Sequence, residues 1–194
     1  MALPARIRNQ AALIALLAGC GSGPQPADWQ LNAVQAMQAF ERHYLLGSTA
    51  AAEAEFILAR RELARTGRAD LVARAELRRC AVRAASLEFD ECPAFEALRD
   101  GAGTEELAYA EYLRGRGAHP AGDDALSRLV ALSIQFRRGQ ILPAEIAAAV
   151  ELASAQGWRR PLLAWLGVQA KRADDAGDTE TAARIRRRMD LISG

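Results

Sequence analysis

Paired acids, histidines and an arginine run are the residues of this chain whose types and spacing could do chemistry. Adjacent Asp123 and Asp124, and adjacent Asp174 and Asp175, could share acid–base work. The first pair falls at a helix start and the second near a helix end, where carboxylates cap the helix or face solvent. Glu105 and Glu106 have the same first-turn explanation, because a helix N-terminus favours negative charge. His43 stands beside Tyr44 near the end of the first expected helix, where a cation suits the C-terminal dipole. His119 lies in a breaker-rich loop before Pro120. No Ser or Cys is placed to form a recognisable nucleophile–base pair. Gly19-Cys20-Gly21-Ser22-Gly23 reads as a tether rather than a strand-to-helix phosphate loop. The expectation is a chain without catalytic residues, cofactor or metal site.

The remaining candidates are surfaces. Arg184, Arg187 and Arg188 share one face of the last expected helix, opposite Ile185, Met189 and Ile192. That face is either simply solvated or a contact for anionic lipid headgroups or an acidic partner. Arg159 and Arg160 join it only if the last three helices pack together. Trp165 falls on an apolar face and reads as core. Trp158, at a helix end beside Gly157, suits corner packing or a partner-binding aromatic. Tyr109 and Tyr112 admit an interface reading, since Tyr is enriched at binding surfaces.

The elements that must position these residues read as helix throughout. Asp28 can cap a first helix with Leu31, Val34, Met37, Phe40 and Tyr44 inward, ending before Gly47. A second carries Ala52, Phe56, Ala59 and Leu63 at helical spacing and stops at Gly67. A third runs from about Ala69 to Leu87, with Cys80 on its core face. Pro93 opens a short helix through Leu98, and Thr104 opens one carrying Leu107, Tyr109, Tyr112 and Leu113. Residues 115–122 form the longest breaker-rich stretch and the candidate hinge between two halves. Asp123 or Asp124 then caps a helix with Leu126, Leu129, Val130 and Ile134 inward. Pro143 and Pro161 each sit at the start of another, and Asp178 or Thr179 caps the last. No window alternates with period two. The fold class is therefore all-α, with eight or nine short antiparallel helices joined by short loops.

The N-terminus carries an address. Arg6 and Arg8 form a basic start, no acid precedes Asp28, and residues 11–18 are an apolar run of export length. Eight helical residues span about 12 Å, far short of a roughly 30 Å hydrocarbon core, which disfavours a transmembrane helix. Leu17-Ala18-Gly19-Cys20 closes this run and resembles the lipobox of bacterial lipoproteins. The resemblance implies a signal peptide over residues 1–19 and Cys20 as a lipid-modified N-terminus. Gly21, rather than Asp, after the cysteine implies the periplasmic face of the outer membrane of a Gram-negative envelope. Several acyl chains give stable anchoring where one is marginal. Residues 20–27 would be the lipidated Cys and a flexible tether reaching roughly 15 Å, and residues 28–194 the helical domain.

That assignment leaves Cys80 and Cys92 as an even pair in an oxidising compartment. A helix from Cys80 to Glu88 travels about 12 Å, and four extended residues return about 13 Å, so a bridge is geometrically open. A metal site would call for shorter Cys spacing with His partners, and a redox pair for Cys-x-x-Cys. Removing residues 1–19 takes away two of the 25 basic residues and none of the 24 acidic ones, leaving a net charge near −1. Such balance offers no footprint for nucleic acid.

Gly67, Gly101, Gly139 and Gly177 recur 34 to 38 residues apart, a period of paired-helix repeats. Phe56, Leu63 and Ala182 sit where tetratricopeptide repeats place large and small residues, and the chain weakly resembles that family over about two helix pairs. Glu76 and Arg186 depart from its pattern. A repeat-like stack of helical hairpins is expected, with an irregular helical bundle as the alternative. Such stacks present extended concave faces. The functional expectation is a non-enzymatic envelope lipoprotein that scaffolds an envelope protein in assembly or secretion. The alternative is a periplasmic module holding a lipid or peptide between the helical halves, and an envelope hydrolase stands third.

Overall fold

The computed structural model describes residues 26–119 and 122–194. The expected signal segment over residues 1–19, Cys20 and most of the expected tether lie outside the described residues. The described chain contains nine α-helices, one 3-10 turn and no strand. The helices are α1 (Asp28–Leu45), α2 (Thr49–Ala64), α3 (Ala69–Ala85), α4 (Pro93–Glu96), α5 (Thr104–Leu113), α6 (Ala125–Arg137), α7 (Pro143–Ala155), α8 (Arg159–Asp175) and α9 (Thr179–Ser193), with the 3-10 turn at Arg99–Gly101. The fold is all-α, as the sequence pattern predicts.

Local chemistry sets the helix ends. Asp124 accepts the Ser127 N–H at 3.0 Å and Asp178 accepts the Thr181 N–H at 3.0 Å, each relieving a donor that the first turn leaves unpaired. Gly47 leaves α1 at φ +91°, a conformation that carries no penalty only without a Cβ. α8 begins two residues before Pro161 rather than at it. A first-turn N–H has no intrahelical acceptor, so its loss there is harmless.

α3 is the hub: it packs against α1, α2, α4, α5 and α6, while α7, α8 and α9 pair in succession and α8 returns to α1. Its inward residues include Val72, Ala73, Leu77, Ala81 and Val82, and five of its buried residues are alanine. Small side chains let several neighbours approach one helix. Phe40, Phe56, Leu77, Phe95, Leu129, Ile146 and Trp165 belong to one continuous apolar cluster that spans both sides of the 115–122 loop. Arg138 fastens that loop to α6, donating to the carbonyls of Gly115 at 2.8 Å and Gly117 at 2.6 Å. Residues 120 and 121 lie outside the described part.

One expectation about facing is corrected. Leu31 and Val34 point outward, 45% and 56% exposed, and the inward stripe of α1 is Ala33, Ala36, Phe40 and Tyr44. Alanines let α2 lie close along α1, and the larger Leu and Val are turned away from that contact. Cys80 is half-buried and packs against the core, as expected, and its partner Cys92 is buried.

Candidate functional site

A groove of about 600 Å³ opens where α1, α3, α5 and α6 converge. Its apolar surface comes from Val34 and Met37 of α1, Leu63 of α2, Leu71, Ala75 and Leu77 of α3, and Val130 of α6. These residues meet because α3 presents two faces: one buries Ala73 and Val82 in the core, the other leaves Leu71 and Ala75 under the groove. Tyr109 and Tyr112 form one wall, their rings stacked with centroids 6.0 Å apart. The His119 ring closes against both, at 4.7 Å from Tyr109 and 5.5 Å from Tyr112. Burial pushes the Tyr109 phenol up to about 12, so it stays neutral and serves as a hydrogen-bonding aromatic surface.

Charged pairs fix the rim. Arg74 of α3 grips Glu106 of α5 at 2.6 and 2.9 Å, and Glu106 also accepts the Gly103 N–H at 3.1 Å. The Arg74 hydrogen bond holds the Glu106 carboxyl below its usual range. Arg78 holds Glu41 of α1 at 2.5 and 3.1 Å, and that hydrogen bond raises the Arg78 pKa further. Glu41 and Glu106 are therefore both paired and structurally occupied. The groove thus joins an apolar floor to neutral phenols, to Glu41 and Glu106 held by arginines and to exposed Glu105, a surface that can receive an apolar segment.

The other sequence candidates lie elsewhere. Cys80 and Cys92 form the disulfide, with Cα atoms 6.0 Å apart. Asp90 sits between them, accepting the Cys92 N–H at 2.9 Å and pairing with Arg83 at 2.9 Å. The ligand atoms of Cys80, Asp90 and Cys92 lie within 4.8 Å of one another, yet bridged sulfurs offer no thiolate to a metal. Trp158 precedes α8, half-buried against the core with its N–H on the Ala153 carbonyl at 3.0 Å. Trp165 is fully buried and donates its indole N–H to the Ala85 carbonyl at 3.2 Å. Asp124 and Asp178 are caps, and Asp175 pairs with Lys171 at 3.0 Å while Asp174 pairs with Arg186.

The arginine face divides. Arg187 is exposed, Arg184 donates to the Thr181 hydroxyl at 3.1 Å, and Arg188 reaches Ser154 at 3.2 Å on α7. Arg159 and Arg160 do not join them although the last three helices pack together. Arg160 is drawn to the C-terminus of α1, donating to the Tyr44 carbonyl at 2.8 Å. The Arg159 guanidinium lies against Gly47, where a Cβ would stand 3.1 Å from it.

Sequence reasoning reached the tyrosine wall and missed the floor. Leu71, Ala75 and Arg74 carried no signal beyond membership of a helix, because only the tertiary crossing of α3 by α1 and α5 brings them together. The chain matches no family model, no curated protein and no solved structure.

Proposed function

We propose that this protein is a non-enzymatic interaction module, anchored through lipid on Cys20 to the periplasmic face of the outer membrane, that receives an apolar segment of an envelope protein in the α1–α3–α5 groove. The observation that carries this reading is the groove itself: an open apolar concavity beside Tyr109 and Tyr112, with exposed Val34 at its edge. An exposed apolar face rimmed by polar groups is what marks an interaction site on a soluble domain. Paired arginines and glutamates around it offer hydrogen-bonding and charge complementarity that orient a partner without driving affinity by themselves. Glu106 also speaks for binding over hydrolysis, since a hydrolytic carboxylate would be held upward in pKa and Glu106 is held downward. Successive helical pairs support a scaffold, and the disulfide is consistent with an oxidising compartment.

A second reading has its own observation. The groove volume falls within the range of small-molecule sites, and His119 and Gly122 of the 115–122 loop line it. That suits a lipid or peptide ligand held beside the loop. A photoreactive residue at Tyr109 in cells, followed by recovery of the membrane-anchored chain, separates the two. The partner reading expects a discrete protein adduct. An adduct of lipid mass alone would replace it with the ligand reading, and no adduct of either kind would overturn both.

A further inference from the structure

We infer that a second concavity, between α7, α8 and α9, binds the headgroup of an anionic phospholipid. It measures about 510 Å³ and lies where the N-terminal ends of α7 and α9 meet the C-terminal end of α8. Arg172, Arg184 and Arg188 line it and no carboxylate does. Three cations facing one hollow repel one another unless an anion enters.

Two of them differ from most of the chain's other described arginines. Most of those reach a carboxylate, whereas Arg172 and Arg184 are exposed and make no ion pair among the described residues. The neighbouring acids are engaged elsewhere. Asp174 holds Arg186, Asp175 holds Lys171, and Asp178 caps α9 through the Thr181 N–H. Glu151 touches Arg188 only at 3.9 Å and stays exposed. The positive ends of two helices, each longer than twelve residues, face the same hollow and outnumber the one negative end, that of α8.

Beneath the arginines the hollow is apolar, floored by Ile146, Leu166 and Ile185. A bare inorganic anion gains nothing from such a floor. A phosphate ester bearing a hydrocarbon tail uses both parts: guanidinium groups take the phosphate oxygens, and the floor takes the first methylenes. The site shares no lining residue with the α1–α3–α5 groove, so the inference holds or fails apart from the function proposed for that groove.

The test is isothermal titration of the purified protein with dihexanoyl phosphatidylglycerol below its micelle concentration, with dihexanoyl phosphatidylcholine and with inorganic phosphate. Saturable binding of the phosphatidylglycerol, at least about tenfold tighter than the other two, is expected. The Arg172→Gln/Arg184→Gln double variant should lose about tenfold or more in that affinity while keeping its thermal midpoint. Val34→Glu should leave it unchanged. Absence of phosphatidylglycerol binding, equal binding by the double variant, or phosphate or phosphatidylcholine binding as tightly would each overturn the inference.

Discussion

The Arg160 guanidinium lies over the Tyr44 ring at 4.2 Å and donates to the Tyr44 carbonyl at 2.8 Å, joining residues 116 positions apart. Arg160 also reaches Glu88 at 3.3 Å and the Thr49 hydroxyl. One planar cation thus ties the start of α8 to the C-terminus of α1 and the start of α2. Arg160→Ala should lower stability by about 1–3 kcal/mol, from the lost aromatic contact and the lost hydrogen bonds to the Tyr44 carbonyl and the Thr49 hydroxyl. Arg160→Lys should rescue little, because an ammonium cannot stack and fork at once. Urea denaturation measures both, and a lysine variant as stable as the parent would count against this linkage.

Reduction of Cys80–Cys92 should destabilise the domain. The bridge closes a separation of 12 residues, worth about 3 kcal/mol in the chain-entropy model. For a domain of this size that corresponds to a fall of roughly 6–12 °C in melting temperature. Calorimetry with and without reductant decides it, with Cys80→Ala as the covalent control. Equal melting would remove the disulfide from the stability of the fold.

Acid should weaken the α5 end of the molecule first. Hydrogen bonds from Arg116 and then Arg114 hold the Glu111 carboxyl down at about 2, and Arg114 also depresses Glu96. A carboxyl depressed in the folded state stabilises it above the unfolded pKa of about 4.3 and loses that contribution as pH falls through the folded value. Stability should therefore decline between about pH 4.5 and pH 2. Arg114→Gln should flatten that decline in part, since Glu96 loses its principal partner and Glu111 keeps only Arg116. Urea midpoints at pH 7, 4.5 and 2.5 test this; a rise in stability on acidification would contradict it.

The helices and most of their inward faces were legible in the sequence because caps, glycine stops and 3.6-residue periodicity are local. Asp124, Asp178 and the stripe Ala52-Phe56-Ala59 follow from neighbours a turn away. Leu31 and Val34 were misread for a different reason: alanine and leucine are both apolar, and only the closeness of α2 selects Ala33 and Ala36. Buried Glu62 and Glu76 were invisible because their partners, Arg65 and Arg60, give no sign in the sequence of reaching back over them. The groove was half legible. Tyr109 and Tyr112 stand out by type, but the apolar surface beside them is made by other helices, from Val34 of α1 to Val130 of α6.

Cys20→Ser should release the chain from membranes or leave it unprocessed. Fractionation and intact mass are the readouts, and unchanged values for both would remove the lipid anchor from the account.

The groove is tested most directly by two residues of matched exposure. Val34 and Ile57 are exposed to 56% and 57%, both β-branched on helix surfaces, and only Val34 lines the groove. Photocrosslinking from Tyr109 in cells carrying Val34→Glu or Ile57→Glu compares them on one background. The account predicts that Val34→Glu abolishes the protein adduct while Ile57→Glu leaves it intact, with both variants melting like the parent. An adduct that survives Val34→Glu, or that Ile57→Glu removes equally, would contradict it.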